Sequence, residues 1–365
     1  MTRASRNRET YIDVFRGLMA LVMVQGHVCD TLLSKAALAA PLYQWQSLFH
    51  GTTAPGFLFA SGFVAGLPRA PLSPQAAARR ARRLLFVLGV GYFLQLPYFS
   101  LWKTLEASGA EATALLACNA LQVIAVTQLF VLGLQLLARR TWVKVASILF
   151  ALVLAAGPFV WASGLAGRVP AALGAYLDRS GGSVFPVFPF SAFVLAGAVA
   201  GALIGHLEPV ARHRAMVRSG LACLAAGLVM TPVLNPFVDF WGVSPAYVLL
   251  RVGALLVLMR AVESLSVPQG PLTRALAVFG HETLLVYVFH LLALFGGVLG
   301  RGPLSPWAGQ LGFGGAFLVL GLMVPLLLAA AAAWRRTKAR YPHGAELVLT
   351  FVTVAVIWDF LTQPW

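Results

Sequence analysis

The sequence predicts an all-α polytopic transmembrane bundle of about eleven spans, with the N-terminus in the cytoplasm and the C-terminus outside. Three observations carry that reading. Apolar side chains make up 59% of the 365 residues, before 35 glycines are added, and charged ones only 11%, whereas soluble domains average roughly 45–50% apolar with glycine included and about 25% charged. The apolar residues collect into runs near the ~20 residues that cross a hydrocarbon core. Basic residues fall mostly in alternate connections between those runs. A domain of this size has too little interior to bury so much apolar surface, so a soluble enzyme, a disordered chain and a secreted disulfide scaffold are excluded.

In chain order the runs are 11–33, 46–67, 83–101, 116–138, 141–163, 186–206, 214–234, 244–262, 275–299, 309–333 and 345–363. The first follows a basic tail and is the richest in polar residues. The second is thinned by Gly51, Pro55, Gly56 and Gly62, and the ninth holds His281, Glu282 and His290. All are built from Leu, Ala, Val, Phe and Gly with little period-2 alternation, which favours helices over the short alternating strands of a barrel. Residues 1–10 read as a cytoplasmic tail and 11–365 as a single integral-membrane domain, without an equal-length repeat or a low-complexity tract.

Charge fixes the orientation by the positive-inside rule. Inner segments hold Arg3, Arg6, Arg8, Arg69, Arg79, Arg80, Arg82, Arg83, Arg139, Arg140, Lys144, Arg212, Arg214, Arg218, Arg260, Arg274, Arg335, Arg336, Lys338 and Arg340, twenty in all. Outer segments hold five, Lys35, Lys103, Arg168, Arg179 and Arg301. One helix more or fewer would scramble that split downstream. It puts Trp365 outside. The net charge of +15 therefore reads as topology and attraction to anionic lipid, with no nucleic-acid partner. Cys29, Cys118 and Cys223 have no paired spacing and read as small core residues. Arg3, Arg6 and Arg8 before an apolar stretch, with Ala37-Leu38-Ala39 beyond it, resemble a signal peptide; Gln25, His27 and Asp30 interrupt that stretch, which favours an uncleaved helix. The connection 164–185 reads either as the lining of an extracytoplasmic opening or as a plain flexible loop.

Ionisable groups at membrane depth cost roughly 2.5–3.5 kcal/mol each on insertion scales and need a partner or a wet cavity. Arg16 and His27 are eleven residues apart, three helical turns plus 20°, so both project from one face about 16.5 Å apart along the axis. Asp30 and Asp13 stand at i,i+3 to them: Asp30 to orient or charge-stabilise His27, Asp13 to pair with Arg16. A histidine there can take a proton from an attacking hydroxyl or amine near neutral pH. An arginine nearer the cytoplasm suits a phosphate or carbonyl oxygen of a donor from that side. A plain ion pair is the structural alternative for Asp13 and Arg16.

His50 opens a stretch, His50-Gly51-Thr52-Thr53-Ala54-Pro55-Gly56, whose glycines and proline break a helix at membrane depth, a pattern tolerated where backbone lines protein or a cavity. It reads as catalytic or acceptor-binding, or else as a packed interfacial histidine. Arg251 lies alone within the eighth run. On a continuous ninth helix His281 and His290 are half a turn apart and form no common metal site; no i,i+4 histidine pair is present, and a metal is not expected.

Ile12-Asp13-Val14-Phe15-Arg16-Gly17-Leu18 followed by Gly26-His27 resembles the opening of the transmembrane acyltransferase superfamily, and the R-x10-H spacing that of its acyltransferase 3 branch. Ala54-Pro55-Gly56-Phe57-Leu58-Phe59-Ala60-Ser61-Gly62, Val184-Phe185-Pro186-Val187-Phe188-Pro189-Phe190 running to Gly197 and Gly201, and Gly280-His281-Glu282-Thr283-Leu284 with Tyr287 and His290 are similar to the heparan-α-glucosaminide N-acetyltransferase catalytic-domain family. These stretches cover about a quarter of the chain. The resemblance implies transfer of an acetyl group from acetyl-CoA, presented on the cytoplasmic side, to a hydroxyl or amine of a glycan or glycolipid outside. The catalytic histidine of the R-x10-H branch falls on His27, with Arg16 on the donor side; in the heparan-type branch the functional histidine follows helix one, which makes His50 a rival.

The expected site is therefore His27, Asp30 and His50 for catalysis, Arg16, Asp13, His281 and Glu282 for the donor, and Tyr287, His290 and Arg251 for the acceptor. The expected location is a bacterial cytoplasmic membrane, with lipids as surroundings and the oligomeric state open. The rival class is a carrier or flippase that uses the same intramembrane His, Arg and Asp residues for coupling; the absence of an inverted repeat weighs against it. A relative without activity is the third reading, separated by whether acyl-CoA binds. The predicted orientation is testable by cysteine labelling. Ser180→Cys should react with a membrane-impermeant maleimide in intact cells and Thr337→Cys only after permeabilisation; the reverse result would overturn the topology.

Overall fold

A computed structural model describes residues 3–67, 72–96, 99–266, 270–296 and 301–363, and the side chains from residue 11 onward. Arg69, Trp365 and the side chains of Arg3, Arg6 and Arg8, on which part of the topology reading rests, lie outside that set. Among the described residues all regular structure is helical, apart from one isolated bridge between Leu33 and Leu311. The helices of ten residues or more are α1 (Arg3–Leu32), α2 (Pro41–His50), α3 (Thr53–Gly66), α4 (Pro74–Phe93), α5 (Ala120–Leu137), α6 (Trp142–Ala162), α7 (Val187–Ile204), α8 (Pro209–Leu234), α9 (Pro245–Leu265), α10 (Pro271–His281), α11 (Thr283–Phe295), α12 (Phe313–Arg340) and α13 (Pro342–Thr362).

The chain is a multi-pass helical membrane protein. Seven described helices are long and apolar enough to cross a bilayer, α1 from Tyr11, α5, α6, α7, α8, α12 and α13, and the bent pair α10–α11 is an eighth if its two arms count as one span. Two of the other three expected runs differ for identifiable reasons. Run 46–67 is divided at Gly51-Thr52 into α2 and α3. The helix of run 83–101 is α4, which starts at Pro74, so Arg79, Arg80, Arg82 and Arg83 lie within it. Run 244–262 is occupied by α9, a single unbroken helix. Outward-facing Leu326, Leu347, Phe351 and Trp358 on α12 and α13 are well exposed, as side chains that meet lipid rather than protein must be.

The chain folds into two compact units. One comprises Pro55–Gln95 and Ser108–Ala261. Within it α3 and α7 meet backbone to backbone: a Cβ at Gly62 or Gly66 would strike the Val194 or Ala198 carbonyl, and one at Gly197 or Gly201 the carbonyl of Phe59 or Phe63. Small residues at the crossing are what apolar helices need in lipid, where hydrophobicity gives them no reason to associate and close packing does. The glycines of two family-like stretches thus serve helix packing.

The other unit comprises Met1–Ala54, Leu96–Ala107 and Val262–Trp365, with α1 against α10, α11 and α12. The end of α1 is latched by Gly309 N–H to Thr31 O (2.9 Å), Leu311 N–H to Leu32 O (2.8 Å) and Ser34 N–H to Leu311 O (2.8 Å). The ninth run is not one helix. α10 and α11 meet at 80° around Glu282, whose φ of −106° and ψ of 32° lie off the helical basin. Gly17 of α1 faces the Leu276 carbonyl and Gly280 of α10 the Asp13 carbonyl, neither leaving room for a Cβ. Gly280→Leu should force these helices apart and cost about 1–3 kcal/mol, as overpacking does, read as a lower unfolding midpoint in detergent; an unchanged midpoint would contradict the close crossing.

Candidate active site

Three imidazoles converge in the unit built on α1, from positions 27, 50 and 290 of the sequence. His27 leaves the C-terminal part of α1 and His50 the last turn of α2. His290 comes from α11, where the bend at Glu282 redirects the chain. His27 Nδ1 and His290 Nε2 are 2.8 Å apart, with the rings 16° from coplanar. The His50 ring stands edge-on to His27, at 82° and 5.6 Å between centroids. Gly26 makes that approach possible, since a Cβ there would occupy the His50 ring.

The hydrogen bonds assign the tautomers. His290 Nδ1 lies 2.8 Å from the Val286 carbonyl, which can only accept, so His290 carries its proton on Nδ1 and offers the Nε2 lone pair. His27 must then donate from Nδ1. Its Nε2 is left as a lone pair, the form a general base or nucleophile requires. His290 itself is 0% exposed and stacks edge-on with Tyr287 (5.7 Å, 76°). His290, expected to line an acceptor cavity, is thus sealed in the structure and hydrogen-bonded to His27, in the place of an orienting partner behind an imidazole.

Asp30, at i,i+3 to His27 on α1, also binds α2: Tyr43 O–H donates to Oδ1 at 2.7 Å, and Oδ2 is 3.5 Å from His50 Nδ1. Burial, and then the bond to Asp30, push the Tyr43 hydroxyl well above its ordinary range, so it stays a donor. Gln46, one turn before His50, donates to Gln25 Oε1 at 2.9 Å, and its own Oε1 is buried without a hydrogen-bond partner among the described residues.

Toward the other end of α1 lies a charged set. Arg16 Nη1 is 3.5 Å from Asp13 Oδ1, and Nη2 donates to Thr283 Oγ1 at 2.6 Å. Asp13 Oδ2 is also 3.8 Å from His281 Nδ1, and His281 Nε2 is 3.8 Å from Glu282 Oε1. Glu282, 5% exposed, is gripped through both oxygens by Lys338 of α12, at 2.6 and 2.8 Å. The structure therefore divides the four expected donor residues: Asp13 and Glu282, acceptors only, hold the side chains around them, while Arg16 carries positive charge and His281 lies between the two carboxylates. Thr283 and Lys338 are additions. Lys338 was legible only as a topological charge, and Thr283 only as the neighbour of His281-Glu282.

Arg251 belongs to the other unit, where its guanidinium lies over the Tyr247 ring at 5.4 Å. In that unit, residues of the 164–185 connection line a cavity of about 290 Å³ walled by small side chains such as Ala166, Gly174 and Ser180. Cys29 and Cys118 are buried and, like Cys223, unbridged. Among the described residues no three His, Cys, Asp or Glu are grouped to hold a metal ion.

A family model described as an acyltransferase domain, that of acyltransferase 3, matches residues 9–335. The match begins just before Asp13 and runs through α1 to α11 and most of α12. No curated protein matches the sequence.

The Glu282–Lys338 pair yields a stability prediction. Lys338→Met strands a buried carboxylate; breaking a fully buried pair costs about 3–5 kcal/mol, and with Lys338 39% exposed the loss should be about 2 kcal/mol. The double variant with Glu282→Gln should recover most of it in thermal unfolding. Equal instability of both would mean that the lysine acts by packing alone.

Proposed function

We propose a reaction from one premise, that the chain belongs to the acyltransferase 3 family: it moves an acetyl group from acetyl-CoA to a hydroxyl or amine of an extracytoplasmic carbohydrate, in the cytoplasmic membrane of a bacterium. The observation that carries this reading is the state of His27. Its Nδ1 is committed to His290, which leaves Nε2 to attack a carbonyl carbon, on the same helix face as Arg16.

The donor's phosphates are met by Arg16 and His281, steadied by Asp13 and Thr283, with Lys338 adding positive charge beside them; a guanidinium held from two sides is pre-organised for phosphate oxygens. Their placement about three turns before His27 on α1 suits an elongated molecule lying along the helix with its thioester outermost. His27 Nε2 attacks the thioester carbonyl, the C–S bond breaks and CoA leaves as thiolate. The proton on Nδ1 shifts along the 2.8 Å bond to His290 Nε2, so the acyl-imidazole forms neutral. Val286 keeps His290 in register throughout.

Calorimetric titration with acetyl-CoA tests the donor half. Micromolar binding is expected, weakened by about 10–100-fold in Arg16→Ala, the worth of a charge-assisted contact, and less in Arg16→Lys, which keeps the charge and loses the fork. His27→Gln should bind normally and lose about 10²–10⁴ in turnover. Unaltered turnover in His27→Gln, or no binding by folded protein, would overturn the proposal, the latter in favour of a carrier.

A further inference from the structure

Two imidazoles, not one, present Nε2 beside each other in this site, and they differ in what stands behind them. Behind His27 is a neutral ring, His290, anchored to a backbone carbonyl. Behind His50 is a carboxylate, Asp30, 3.5 Å from Nδ1 and fixed on its other oxygen by Tyr43. The carboxylate, which can only accept, holds the proton on His50 Nδ1 and orients the ring, so Nε2 carries the lone pair. The same side-chain type is thereby set up for two tasks, a base at position 50 and a nucleophile at position 27.

The placement agrees. The rings are edge-on at 5.6 Å, which leaves an acceptor atom bonding to an acyl group on His27 within reach of His50. Gly26 is the residue that lets His50 stand there. His50 is 19% exposed, whereas His290 is sealed, so of His27's two neighbours only His50 can meet a substrate. Gln46, on the same face of α2 one turn earlier, has a buried and unpartnered Oε1, an acceptor suited to a second hydroxyl of a polyhydroxylated molecule.

We propose that His50, backed by Asp30 and Tyr43, is the general base for the second half of the reaction, and that His27 carries the acyl group between the halves; this rests on the acyl-transfer reading above. His50 Nε2 takes the acceptor's hydroxyl proton as its oxygen attacks the acyl carbon. The C–N bond to His27 breaks and its electron pair returns to Nε2, while the proton held by His290 goes back to His27 Nδ1. The His50 proton then passes to solvent, and the CoA thiolate released earlier takes one from solvent, so charge and protons balance.

The test separates the halves. Purified protein is mixed with acetyl-CoA and thiol release is followed first as a single-turnover burst, then as turnover with water and methyl glucoside, nucleophiles that need a base, and with hydroxylamine, which does not. His50→Gln is expected to keep the burst and the hydroxylamine reaction within about threefold, and to lose about 10²-fold or more with water and methyl glucoside. Asp30→Asn should show the same split more weakly. His27→Gln should lose every reaction, and the surviving hydroxylamine reaction is the check that His50→Gln is folded. A His50→Gln variant that slows burst and discharge equally, or neither, overturns the division of labour. A wild-type protein without a burst overturns the acyl-enzyme reading and this assignment with it.

Discussion

The close crossing of α1 and α10 at Gly17 and Gly280 governs the geometry of the unit that holds the site. With backbone against backbone, Asp13 and Arg16 come level with the end of α10, where the chain turns by 80°. That turn presents Thr283 to Arg16 and swings α11 so that His290 meets His27. A straight helix would put His281 and His290 on opposite faces; the break lets one run of sequence serve both ends of α1. The Glu282–Lys338 pair occupies the vertex, so a carboxylate that would be costly alone is neutralised at the point where the helix is interrupted.

A second constraint is the cost of polar groups at membrane depth, which drives them onto one another. Each imidazole in the site faces a defined partner through Nδ1, a backbone carbonyl for His290, an imidazole for His27 and a carboxylate for His50. This fixation sets tautomers, and tautomers decide which nitrogen can react. Rigidity of this kind puts reacting atoms in place before the substrate arrives, the condition under which proximity and electrostatic stabilisation are most effective.

Much of this was legible before the structure. The apolar runs and the arginines between them describe a polytopic helical protein, since lipid admits no other open backbone arrangement. The R-x10-H spacing put Arg16 and His27 on one face because helical periodicity is local. His50 was visible as a histidine at a broken helix. Asp30 was read only against His27, because i,i+3 spacing speaks only for neighbours on the same helix, whereas α2 adds Tyr43 and His50 as partners. His290 was read as a wall of a cavity, because sequence carries no burial for a single residue on an apolar helix.

The sequence by itself thus determined the class of fold and the chemical inventory of α1, both consequences of transfer free energy and of a 3.6-residue repeat acting within one segment. Only the tertiary structure decided that Lys338 neutralises Glu282, that Asp30 serves His50, and that His290 orients His27. Those pairings join residues 20 to 263 positions apart, and they exist because glycines let helices touch and because a helix breaks at Glu282. Neither periodicity nor composition can encode such contacts, since both are blind to which faces meet.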